Sequence, residues 1–155
     1  MTKFDILEGI VEDSKVNDFQ QDEPTKDHDI LMIWFAEHWK AIVVKIVNSE
    51  NFKAEMRLEP VLDGHPPLFP DAIVLADEWA IVFELKPKIL SCGSLIRQLN
   101  HYGSRFGGHR YVRSTYTIGA GSGYNVSRWV VTPDKRFDNI LRDQGIGVVH
   151  PEDFP

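Results

Sequence analysis

Pro70-Asp71-Ala72-Ile73-Val74-Leu75-Ala76-Asp77-Glu78-Trp79-Ala80-Ile81-Val82-Phe83-Glu84-Leu85-Lys86 is the stretch whose reading decides the fold. Two runs rich in apolar and β-branched residues, 71–75 and 79–86, flank Asp77-Glu78, which reads as a tight turn. This predicts an antiparallel hairpin. Residues 79–83 are apolar on both faces, as in a strand covered on both sides. Pro87 ends the second strand by removing a ladder donor. Side chains two apart share a face of a strand, so Glu84 and Lys86 project together while Phe83 and Leu85 point the other way. The hairpin sets Asp71, at the start of its first strand, beside Glu84 and Lys86 at the end of its second. Ionised groups at the end of a covered strand require a partner or a ligand.

Outward from the hairpin, residues 2–19 carry Phe4, Ile6, Leu7, Ile10 and Val11 at helical spacing. Residues 20–29 are polar, include Pro24 and read as a loop, and periodicity leaves 30–39 open between helix and hairpin. Residues 41–47 are β-branched and predict a strand, Asn48-Ser49-Glu50-Asn51 a turn, 52–62 a second strand and 63–67 a loop. On the other side, Ser94 reads as the N-cap of a helix running to about Tyr102, with Leu95, Leu99 and Tyr102 on one stripe. Residues 103–124 are Gly-rich around a candidate strand at 111–118, and 128–131 predicts another strand. Thr132-Pro133 reads as an N-cap and first helical residue ahead of a helix over 134–144, closed by Gly145 and followed by a strand at 146–149. The expected class is therefore α/β (α+β): one domain over 1–155, a mixed central sheet flanked by helices, with its core at about 41–132.

With 43% hydrophobic and 26% charged residues in 155, the chain has the composition of a folded domain, which excludes wholesale disorder. No apolar run approaches the ~20 residues that span a bilayer. Residues 1–13 are acidic and lack the basic start of a secretory signal. The single cysteine, Cys92, excludes an internal disulfide, a Cys-rich zinc site and an iron–sulfur cluster, so the expected setting is cytoplasmic. The net charge of −6 is unevenly spread. Residues 1–85 hold 7 Lys/Arg and 18 Asp/Glu, a net −11, whereas residues 86–155 hold 10 and 5, a net +5, seven of the ten bases being Arg. An acidic half joined to an Arg-rich half allows one basic face toward phosphate.

The chemistry converges on the hairpin. Asp71 and Glu84 form a pair of hard oxygen ligands suited to Mg²⁺ or Mn²⁺, to which the Leu85 carbonyl can add a third oxygen. Lys86 can hold or deprotonate a water near the metal. Anchored metal, activated water and nearby cation are the requirements of metal-assisted phosphodiester hydrolysis.

Pro70-Asp71 followed by Glu84-Leu85-Lys86 resembles the PD-(D/E)xK nuclease superfamily, and Gln98-Leu99-Asn100-His101-Tyr102 resembles the Gln-x-x-x-Tyr motif of its RecB-type branches, on the helix after the Glu-x-Lys strand. The resemblance spans residues 52–102. It implies a restriction-endonuclease-like fold and a Mg²⁺- or Mn²⁺-dependent nuclease. By the same resemblance Asp71 and Glu84 bind metal, Lys86 positions or activates water, and Gln98 and Tyr102 touch the substrate backbone or the metal's outer shell. Many members carry an additional upstream acid; Glu59, Glu55, Glu12 and Glu37 are candidates, with Glu59 preferred. The four-cysteine cluster of some RecB-type relatives has no counterpart in this chain.

Arg97, Arg105, Arg110, Arg113 and Arg128, interleaved with Tyr111, Tyr116, Tyr124 and Trp129, are the candidate nucleic-acid contacts. His65 is a secondary candidate ligand. Gly119-Ala120-Gly121-Ser122-Gly123 lacks the Lys-Ser/Thr of a phosphate-binding loop and reads as a plain loop. The reading is a nuclease acting on DNA rather than RNA, on ends or structures rather than sequences, without a membrane, and working alone, as a homodimer or with a protein partner. The alternative is a catalytically idle domain of the same fold that binds nucleic acid or protein.

Overall fold

The computed structural model describes residues 25–60, 68–76, 79–108, 111–113, 116–118 and 125–155. Its central feature is a five-stranded mixed sheet in the order β1-β2-β3-β6-β7. β1 (Ala54–Leu58), β2 (Ala72–Ala76) and β3 (Trp79–Leu85) are antiparallel neighbours, and β6 (Asn125–Val131) and β7 (Ile146–Val149) follow as parallel strands. β4 (Tyr111–Arg113) and β5 (Tyr116–Ile118) pair separately as a two-stranded hairpin. The class is the mixed α/β domain expected from the sequence. β3 is central: it pairs with β2 on one side and β6 on the other, and Ala80 to Leu85 are buried.

Each face of the sheet is covered. The long helix α1 (Thr25–Val47) lays Leu31, Phe35, Ile42 and Val43 against Ala72, Val74, Ile81, Phe83 and Leu85. Helix α2 (Cys92–Gly108) packs Leu95, Leu99 and Tyr102 on the opposite face, over Ile73, Ala80, Val82 and Val130, joined there by Leu141 of α3 (Asp138–Asp143). Glu84 has the parity of Ala80 and Val82 and so belongs to the α2 face. Among the described residues no helix is long and apolar enough to cross a membrane.

Several expectations give way here. Residues 41–47 are not a strand but the last two turns of α1, which also takes in 30–39 and the end of the expected 20–29 loop. β-Branched content is a weak prior, and contact with β3, including the Phe35 and Phe83 rings at 4.8 Å, decides for helix. The helix stops at Asn48, left-handed at φ 54°, with the Ser49 N–H reaching back to the Val44 carbonyl at 3.3 Å. Of the expected strand at 52–62, the described residues 52–60 form strand only over Ala54–Leu58, because Glu59 turns out of it at φ 52°, and 61–62 lie outside the described residues. Ser94 is not the N-cap of α2. That role falls to Ser91, whose Oγ accepts the Ser94 N–H at 3.2 Å while its carbonyl accepts the Leu95 N–H. α2 also continues past Tyr102 to Gly108, and the candidate strand 111–118 is two short strands.

The expected helix at 134–144 shortens to Asp138–Asp143. Thr132 Oγ1 does accept the Asp134 N–H at 3.0 Å, but the Asp134 carboxylate then binds the Arg136 and Ile89 N–H groups and the Arg136 guanidinium, which holds the segment in a turn. Gly145, at φ 75°, closes α3 as expected. Gly147 in β7 lies under the Trp129 ring, where a Cβ would collide with the indole. The sheet with its helices runs from residue 25 to 149, beyond the 41–132 expected for the core. The readings at 2–19, 63–67, Asp77-Glu78 and 119–124 lie outside the described residues.

Candidate active site

The site forms where β2 begins and β3 ends. Ala72 pairs with Phe83, so one step further Asp71 lies opposite Glu84. Asp71 and Glu84 are fully buried and Lys86 is 1% exposed. Burying three ionisable groups in a central strand and its neighbour is costly unless each is engaged, and here each is. Asp71 Oδ2 accepts the Leu85 N–H at 2.8 Å, and the Asp71 N–H donates to Glu84 Oε1 at 3.0 Å. Glu84 Oε2 lies 4.0 Å from the Lys86 Nζ. The lysine's backbone is held by its N–H to the Val131 carbonyl at 2.9 Å, which extends the parallel β3–β6 pairing past Leu85. The charged ends therefore cluster at the carboxyl end of the parallel part of the sheet, the edge on which open α/β sheets bind ligands.

Helix α2 adds Gln98 and Tyr102, one turn apart on one face. Gln98 Nε2 donates to the Tyr102 hydroxyl at 2.7 Å, and the hydroxyl donates to Glu84 Oε1 at 3.0 Å. Burial, followed by the negative charges of Glu84 and Asp71, pushes the Tyr102 phenol well above its ordinary pKa. The five residues 71, 84, 86, 98 and 102 are thus brought together. Leu85 contributes its main chain, with its side chain in the core on the α1 face.

His28, in the first turn of α1, is a member of this cluster that the sequence reading passed over. It is 8% exposed, and its Nε2 lies 3.0 Å from Asp71 Oδ1. A signal existed: His28, Leu31, Phe35 and Ile42 follow one helical stripe, so the polar loop read over 20–29 in fact ends on a core-facing position.

Glu59 joins by its backbone only in what is described: its N–H donates to the Asp71 carbonyl at 2.8 Å, while its side chain is exposed. Glu55 pairs with Arg57 at 2.5 Å on the edge strand, and Glu37 is exposed on α1. Glu12 and His65 lie outside the described residues. Arg97 is exposed on α2 beside Gln98, its guanidinium donating to Ser94 Oγ at 3.1 Å. Arg128 bridges Asn100 of α2 and the Gln144 carbonyl, tying β6 to its neighbours. Arg105 lies on α2 and Arg113 on β4, and Arg110 lies outside the described residues.

Among the described residues no group of three or more His, Cys, Asp or Glu is placed to hold a metal ion. The donor set suits a cation that needs fewer protein ligands. Mg²⁺ and Mn²⁺ accept one or two carboxylates and complete their octahedron with waters and substrate phosphate oxygens. Asp71 and Glu84, cross-strand neighbours with a buried cation alongside, meet that requirement.

No protein-family model and no curated protein matches the chain. A solved structure similar to it, the crystal structure of the protein of unknown function AF1548, has a TM-score of 0.41 and 14% identity over 79% of this chain and 59% of that one. The chain spans about three fifths of that protein's length.

Proposed function

We propose that this chain is a metal-dependent nuclease that hydrolyses phosphodiester bonds, with DNA as the favoured substrate and Mg²⁺ or Mn²⁺ as the cofactor. One observation carries the reading: two buried carboxylates, Asp71 and Glu84, stand opposite each other across adjacent strands, with the buried ammonium of Lys86 two residues beyond Glu84. Asp71 and Glu84 would hold the cation, with the Leu85 carbonyl as a further oxygen and His28 orienting Asp71. A cation there would polarise the phosphoryl oxygen and acidify a bound water. Lys86 supplies positive charge where negative charge develops on the phosphorane oxygens, and its position beside Glu84 lets it steer the attacking water. The order of motifs in the sequence and the Gln98–Tyr102 pair on the following helix support the same reading.

The test is cleavage of linear duplex, single-stranded and branched DNA, and of RNA, with Mg²⁺, Mn²⁺, Ca²⁺ or chelator. Cutting is expected with Mg²⁺ or Mn²⁺ and is lost with chelator and in Asp71→Asn. Ca²⁺, a weaker activator of water, supports binding without cutting. Binding that is indifferent to metal, with no cleavage of any substrate, would overturn the enzyme and leave a nucleic-acid-binding module.

A further inference from the structure

A cleft of about 450 Å³ opens on the α1 face of the sheet, at its β7 edge. Small-molecule sites occupy about 300–1,000 Å³. Ile42 and Ile46 of α1 and Val149 of β7 give the cleft an apolar floor. Trp129 of β6 and Phe154, just past the 3-10 turn Pro151–Asp153, are its aromatic walls. Glycine at 147 shapes the first wall. A Cβ there would lie 2.3 Å from Trp129 Cε3, so the indole reaches across from β6 and rests on the β7 backbone. Its N–H donates to Ser127 Oγ at 2.5 Å, which leaves the ring only apolar surface to offer a ligand.

Three charged side chains line the cleft: Lys45, Arg142 and Asp153. Lys45 Nζ stands 5.1 Å from the centroid of the Phe154 ring. Neither Lys45 nor Arg142 makes an ion pair among the described residues. Each lies in the last turn of its helix, α1 or α3, where a cation complements the helix dipole. The dipole accounts for a cation at either helix end, but not for both lining one apolar cleft. Asp153 leaves one positive charge in excess and places an acceptor beside it.

A ligand that meets these features has a flat apolar body for the aromatic walls, an anionic group for the two cations and a donor for Asp153. A nucleoside monophosphate carries all three, as its base, its phosphate and its ribose hydroxyls. Inorganic phosphate leaves the walls unfilled, and a nucleoside leaves the cations unpaired. We infer that this cleft binds a nucleoside monophosphate, its base against Trp129 and Phe154 and its phosphate on Lys45 and Arg142. Glu84 belongs to the opposite, α2 face, so the cleft is separate from the candidate active site and the inference does not rest on the function proposed above.

The experiment titrates AMP into the full chain by isothermal titration calorimetry at low salt, in chelator so that no cation is held at Asp71 and Glu84. Saturable binding is expected, with adenosine and inorganic phosphate each at least about tenfold weaker. Lys45→Met and Arg142→Met alter exposed positions, and melting temperature checks that the fold is kept. Each should weaken AMP by about tenfold, the loss of one charge-assisted hydrogen bond. Arg97→Gln, on the helix over the opposite face, should leave the AMP Kd unmoved. A stacked adenine should also quench tryptophan fluorescence, and Trp129→Phe should remove most of that quench. Three results would each overturn the inference: no saturable AMP binding, phosphate or adenosine as tight as AMP, or a Kd within about twofold of wild type in both Lys45→Met and Arg142→Met.

Discussion

Removing the Glu84 side chain should destabilise the protein before any question of catalysis arises. Glu84→Ala strips the acceptor from the Asp71 N–H and the Tyr102 hydroxyl, and takes away the carboxylate facing the Lys86 ammonium, all within a site no more than 1% exposed. Truncating one partner of a buried ion pair costs about 3–5 kcal/mol, and an orphaned buried donor about 1–3 kcal/mol. These losses share one carboxylate and do not add, and relief of repulsion with Asp71 offsets part of them, so about 4 kcal/mol is expected. For 155 residues that corresponds to a fall in Tm of about 8–16 °C. Glu84→Gln keeps an acceptor for both donors and should cost less. Adding Lys86→Met to Glu84→Gln removes a buried ammonium that has lost the opposing Glu84 charge and should recover part of the loss. The assay is urea unfolding followed by circular dichroism at neutral pH with chelator. A Glu84→Ala variant within about 1 kcal/mol of wild type would refute the reasoning, as would a double variant no more stable than Glu84→Gln.

The raised phenol of Tyr102 predicts an alkaline limb. Its stabilising contribution is complete below the unfolded tyrosine pKa of about 10 and is lost as pH rises above that toward the folded value; Tyr102→Phe should flatten the limb, and absorbance titration should show the wild type losing one tyrosine ionisation step at unfolding relative to Tyr102→Phe. Asp134, bonded first by the Arg136 guanidinium and also by the Ile89 and Arg136 N–H groups, is held well below the ordinary carboxylate range. Its contribution is present above the unfolded pKa of about 4 and lost as pH falls through and below it, so Asp134→Asn should show a shallower acid transition in a pH series of melts and cost about 1–2 kcal/mol at pH 7. Arg97→Gln should weaken nucleic-acid binding and lower the slope of log K against log salt by about one, measured by fluorescence anisotropy; an unchanged slope would remove Arg97 from the phosphate contacts.

What was legible in the sequence is local. The β2–β3 hairpin, the placement of Asp71 beside Glu84, the shared face of Glu84 and Lys86, and the one-turn spacing of Gln98 and Tyr102 all follow from a period of two in strands or 3.6 in helices, acting over short stretches of chain. Glycine at 145 and the strand at 146–149 were legible for the same reason. What the sequence left open depends on partners far away along the chain. Residues 30–39 place apolar side chains on the exposed side as well, at Ile30 and Ile33, which leaves that stretch open, the β-branched run at 41–47 reads as a strand, and the sheet face that both cover makes them helix. Asp134 was read as the first turn of a helix, but Ile89 and Arg136 claim its carboxylate and shorten that helix to Asp138–Asp143. His28 entered the site because α1, once formed, delivers its first turn to Asp71 across 43 residues of sequence. A side chain's periodicity is set by its own segment, but its burial and its hydrogen-bond partner are set by whichever segment packs against it, and that is decided only when the sheet and its two helical layers close on one another.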